Sequence, residues 1–100
     1  MRRGRRLQGV VVEVAETPEL REDEEGVRWR KCIFTIELRG FAGRPGGDLP
    51  AWLKGARVRV VRWCCLDWHY RTGVRATLTR EETEAVLGGE LDLTGGGREA

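Results

Sequence analysis

The sequence predicts an all-β chain with one short helix, and three observations carry that expectation. Residues 27–39 alternate strictly, with Cys32, Phe34, Ile36 and Leu38 on one face and Trp29, Lys31, Ile33, Thr35, Glu37 and Arg39 on the other. A period of two marks a half-buried strand. Residues 57–65 and 74–79 are two further strand-like runs, expected as the arms of one long hairpin around a polar tip that holds Trp68, His69, Tyr70 and Arg71. The tip ends in Thr72-Gly73, where glycine supplies the positive φ of a tight reversal. Only residues 80–87 carry helix punctuation: Thr79 as N-cap, Glu82 three positions on to complete a capping box, and Gly88-Gly89 as the stop.

Taken in order, residues 1–6 form a basic arm, residues 7–89 a single domain and residues 90–100 a flexible tail with Gly95, Gly96 and Gly97. The first strand is expected over residues 7–15, with Val10, Val12 and Val14 on one face, Val11 and Glu13 on the other, and Gly9 free to permit a bend. Pro18 and a run of acids make residues 16–26 a loop. The second strand follows, then a glycine-rich loop over residues 40–48. Leu49, Trp52 and Leu53 have the spacing of one helical turn, ended by Gly55, and Trp52 reads as core.

One hundred residues supply surface for one core. There is no apolar run near twenty residues, so a membrane span is not expected. The start, MRRGRRLQGVVVEV, is basic, but its apolar stretch is short and broken by Glu13; it does not read as a signal peptide, and a cytoplasmic protein is expected. Net charge is only +2, but the distribution is uneven. Residues 1–6 carry four Arg, residues 28–44 five bases against Glu37, and residues 48–80 seven bases against Asp48 and Asp67. Acids gather in residues 16–25, six against Arg21, and in residues 81–100, six against Arg98. Basic strands with acidic surroundings suit a polyanion. A solvated surface of Arg and Glu would have the same composition.

Binding an unpaired nucleic-acid strand needs cations for phosphates and rings for bases, and no catalytic group. The candidate cations are Arg28, Lys31, Arg39, Arg57, Arg59, Arg62, Arg71 and Arg75, and the candidate rings Trp29, Trp63, Trp68 and Tyr70. In a regular strand Arg57, Arg59, Val61 and Trp63 share a face; a bulge near Val60-Val61 would turn Trp63 inward and Arg62 outward instead.

Other chemistry finds less support. Cys64 and Cys65 are adjacent on a strand and point to opposite faces, and with Cys32 and His69 they lack zinc-ligand spacing. Three cysteines read as reduced thiols. A Cys65–His69 nucleophile pair has no visible orienting group. Gly95, Gly96 and Gly97 are followed by no Lys-Ser/Thr, so they form no phosphate loop. No metal, cofactor or catalytic residue is expected.

Three pieces of sequence then resemble one family. TPELREDEEG lies between a Val-rich strand and an alternating strand that ends CIFTIELR; LKGARVRV and WHYRTGVR follow in order. In this order they are similar to the bacterial single-stranded-DNA-binding protein family, through Pro18, Glu19, Leu20, Arg21, Gly26 and Phe34, then Leu53, Lys54, Gly55, Val58 and Val60, then Trp68, Tyr70, Gly73 and Arg75. The resemblance covers residues 7–79 and implies an OB-fold, a small, partly open five-stranded β-barrel, together with oligomers and no cofactor. Two departures stand out. The span of residues 40–53 is too short for the family's further strand and helix, so a barrel strand is missing, shortened or taken from a segment such as residues 90–93. The family's acidic partner-binding tail is also absent, since the chain ends GGGREA; a short, tail-less relative of primosomal or phage type fits better.

The expected function is non-catalytic binding of single-stranded DNA in replication, recombination or repair, with the protein a homo-oligomer. RNA is the alternative polymer, because only 2′-hydroxyl contacts separate the two. The alternative function is an OB-type protein-interaction or oligomerisation module that does not bind nucleic acid.

Overall fold

The computed structural model describes residues 5–45, 49–65, 72–91 and 93–95. Its elements are β1 (Leu7–Glu22), β2 (Arg28–Phe41), β3 (Arg44–Pro45), β4 (Ala56–Cys65), β5 (Arg75–Thr77), α1 (Arg80–Leu87) and β6 (Leu93–Gly95). The strands make one antiparallel sheet in the order β5-β1-β2-β4-β6, with the two-residue β3 beside β2. The all-β class with one short helix is therefore observed. Among the described residues β5 and β6 do not pair, so the sheet is not closed into a barrel. The helix α1 joins them in the chain instead. The expected long hairpin does not form among the described residues, because its two arms find different partners: β4 pairs with β2 and β6, and β5 with β1.

β2 and β4 form as their alternation predicts. Their pairing runs without a register shift from Glu37 opposite Arg57 to Trp29 opposite Cys65. Cys32, Phe34, Ile36 and Leu38 of β2 and Ala56, Val58, Val60 and Cys64 of β4 are buried on the inner face. Leu7, Val11, Leu53, Leu78 and Val86 complete the core.

β1 departs from expectation in two ways. It runs to Glu22, through Pro18 and the acids of the expected loop. Among the described residues the strand has no neighbour on its second side there, because β5 pairs only with Gln8, Gly9 and Val10. Proline, which cannot donate to a ladder, is tolerated on such an edge. The register also shifts between Val11 and Glu13, which leaves Val12 as an extra residue. A bulge reverses the facing of the side chains that precede it. Val11 is therefore the buried valine, and Val10, opposite Glu37, joins the outer face.

Thr79 caps α1 with its side chain on the Glu82 N–H, and the Glu82 carboxylate accepts from the Thr79 N–H at 2.9 Å, so the expected capping box is present. Thr83 accepts from the Leu7 N–H at 3.1 Å, and Val86 is fully buried, which seats the helix on the start of β1. The turn at residues 51–55 is present, but Trp52 is 41% exposed, and Leu53 alone of the pair enters the core. Leu93–Gly95 of the expected flexible tail is ordered as β6 against Ala56, Arg57 and Val58. Among the described residues no helix is long and apolar enough to cross a membrane.

Candidate nucleic-acid interface

The outer face of the sheet is built from cross-strand rows, each set by register. One row runs Arg75, Val10, Glu37, Arg57 and Thr94 across five strands. The next holds Glu13, Thr35 and Arg59, and the next Ala15, Ile33 and Val61. Lys31 stands opposite Trp63, and Arg21, Trp29 and Cys65 close the series at the far end. Directly opposed side chains lie close enough to act on one another. The face is thus cationic at one end, apolar in the middle and aromatic at the other.

Several predicted cations already have acids beside them. Glu37 takes both Arg39, at 2.7 Å, and Arg57, at 3.6 Å. Lys31 reaches Glu19 at 3.3 Å. Such half-exposed pairs are individually weak and give way to a stronger anion. Among the described residues Arg28, Arg59 and Arg75 have no acid partner. Arg59 and Arg75 stand on the outer face, whereas Arg28 lies near the β1–β2 turn, opposite Glu22.

Arg62 has a different place. Opposite Cys32, it lies on the inner side of β4, donates to the Glu82 carboxylate and reaches the Thr77 carbonyl at 3.5 Å. Burial alone would push the Glu82 carboxyl up, but the hydrogen bonds from Arg62 and Thr79 outweigh it and hold the group below its ordinary range. Arg62 is a tie between β4 and α1, removed from the outer face.

The bulge that would have turned Trp63 inward does not occur, and the half-buried indole belongs to the outer side with Arg57 and Arg59. The Arg21 guanidinium lies 4.3 Å from its ring centroid, a cation–π stack. Trp29 donates its Nε1–H to Asp23 at 3.1 Å. That bond, followed by the Val27 N–H, holds the Asp23 carboxyl below its ordinary value. Trp68, Tyr70 and Arg71 lie outside the described residues.

A groove of about 520 Å³ opens on this face, lined by Glu13, Thr35, Arg57, Arg59, Leu91 and Thr94. Sequence reasoning passed over Glu13, Arg21, Leu91 and Thr94. Arg21 was masked by the acids around it, and the two tail residues carry no local signal until β6 pairs with β4.

The cysteines hold no bond to one another. Cys32 and Cys64 are buried together, and burial, helped by the Cys32 contact, pushes the Cys64 thiol up to about 12. Among the described residues no group of three His, Cys, Asp or Glu side chains is placed to hold a metal. The chain matches no family model, no curated protein and no solved structure.

Proposed function

We propose that the outer face binds single-stranded DNA without catalysis, along the rows from Arg75, Arg57 and Arg59 through Ile33 and Val61 to Lys31 and Trp63. The observation that carries this reading is the joining, on one exposed sheet face, of two guanidinium groups that have no acid partner among the described residues with an apolar row and a half-buried indole. Phosphates take the cations, and bases lie on the apolar and aromatic surface. Each ring that stacks contributes about 1–3 kcal/mol. Trp68, Tyr70 and Arg71 belong to the same proposal as two further rings and a further cation for the bound strand. The resemblance to the single-stranded-DNA-binding family supports the same reading. The cytoplasm is the compartment that suits free cysteines and a nucleic-acid ligand.

The test is a titration of tryptophan fluorescence with single-stranded DNA, single-stranded RNA and duplex DNA at two salt concentrations. Salt-sensitive quenching strongest with the single-stranded DNA supports the reading, and equal or tighter binding of duplex overturns it.

One observation favours a second reading, homo-oligomerisation through the sheet. Among the described residues β4 beyond Val58 has no strand on its outer edge, and Val61 beside that edge is 49% exposed. An open edge with an exposed apolar side chain is a template for pairing. Sedimentation of the chain against its Val61→Lys variant separates the two: under this reading a homo-oligomer dissociates without nucleic acid.

A further inference from the structure

The groove on the outer face pairs a negative end with a positive one. Glu13, Thr35 and Arg59 stand directly across three neighbouring strands, with Thr35 in the middle. Two strand spacings separate the outer pair, about 10 Å at the backbone. Arg57 and the Thr94 side chain complete the positive end. Among the described residues neither the Glu13 carboxylate nor the Arg59 guanidinium has a hydrogen-bond or ion-pair partner, in contrast with Glu37 one row away, which is engaged twice.

A carboxylate in a groove meant only for phosphate would oppose binding. Placed at the opposite end from Arg59, it asks for a ligand with two adjacent donors at one end and a negative charge at the other. Of the four bases of DNA, only guanine offers this, through N1–H and the exocyclic N2 amine. Cytosine and adenine place a ring-nitrogen acceptor beside their amine, and thymine sets its one N–H between two carbonyls. A carboxylate accepting two such bonds makes a charge-assisted bidentate pair.

We propose that this groove is a guanine subsite on the bound strand: Glu13 accepts from N1–H and N2–H, Thr35 lies beneath the nucleotide, and Arg59 holds its phosphate. The inference rests on the single-strand reading above and adds to it a base preference read on the Watson–Crick edge of an unstacked base.

The full chain is titrated with labelled dT 12-mers that carry at the centre dT, dG, dA or dI, the last lacking the N2 amine. The dG strand is expected to bind about tenfold more tightly than the dT strand, with dI between them. Glu13→Gln, exposed and away from the core, is expected to bring the four strands within about twofold of one another. Equal binding of dG and dT by the unaltered protein overturns the guanine subsite and leaves the single-strand reading standing. Failure of all four strands to bind overturns both. Free dGMP tests the source of the nucleotide: displacement of the dG strand only at concentrations far above that of the strand supports a polymer site, and equal potency overturns it.

Discussion

Arg62 on β4 donates to the carboxylate of Glu82 in the first turn of α1, and that contact ties the helix to the inner side of the sheet. Both side chains are mostly shielded, and Glu82 serves the capping box as well. A hydrogen bond to a charged group of this kind contributes about 1.5–3 kcal/mol. Arg62→Ala is therefore expected to lower unfolding stability at pH 7 by that amount. The pH dependence has a definite sign. The folded carboxyl is held below its ordinary value, so its contribution is present above that value and lost as pH falls through the lowered one. Urea midpoints measured from pH 7 down to pH 3 are expected to show the gap between wild type and Arg62→Ala closing on the acid side. A gap that stays constant refutes the link.

Gly9 lies against the Glu37 backbone. A β-carbon built there would sit 2.1 Å from the Glu37 carbonyl oxygen and 2.9 Å from an Ile36 methyl. Neither neighbour can yield, because both belong to the central strand. Gly9→Ala is expected to destabilise the fold by about 3 kcal/mol, the upper end for overpacking a closed site. Guanidinium chloride unfolding should show a lower midpoint with an unchanged slope.

The cysteines differ in reach. Cys64 is buried, and its thiol is pushed up to about 12, so at pH 8 it stays protonated and does not alkylate. Cys32 is shielded to the same degree, whereas Cys65 is half-exposed. Iodoacetamide on the native protein is expected to add one label, at Cys65, and three after urea unfolding, as read by mass spectrometry. The raised thiol also contributes stability below about pH 9, its ordinary value, which is lost as pH climbs toward 12.

The parts of the fold that were legible are those where one local period governs. β2, β4 and α1 follow their alternation and caps because no bulge interrupts them. β1 was misread where Val12 adds an extra residue, since a bulge is decided by the partner strand. Pro18 reads as a loop unless the strand is known to be an edge. The three residues of β6 are too few for any period, and their order comes from the free edge of β4. The same holds for the candidate site. Parity put Arg57, Arg59 and Trp63 on one face only if the strand was regular, and the unshifted register with β2 decides that it is. That Glu37 would hold Arg57, Glu19 hold Lys31 and Glu82 hold Arg62 depends on cross-strand register and on the docking of α1, neither of which is local.

These ion pairs divide the basic residues into those that meet phosphate and those that do not. On a single strand each phosphate neutralised adds about 0.7 to the slope of log affinity against log salt. Arg59 and Arg75 stand on the outer face without acid partners among the described residues, so both should contribute. Arg59→Ala with Arg75→Ala is expected to flatten the slope by roughly 1.4, twice the single-site value. Arg57→Ala should change the slope less, because Arg57 is already partly neutralised by Glu37 and adds less net charge against phosphate. Arg62 is spent on Glu82 at the inner side, and Arg62→Ala should leave the slope unchanged while lowering stability. Fluorescence titrations with a dT 12-mer across several salt concentrations check all three. An unchanged slope in the double variant, or a flattened one in Arg62→Ala, would place the binding surface elsewhere on the molecule.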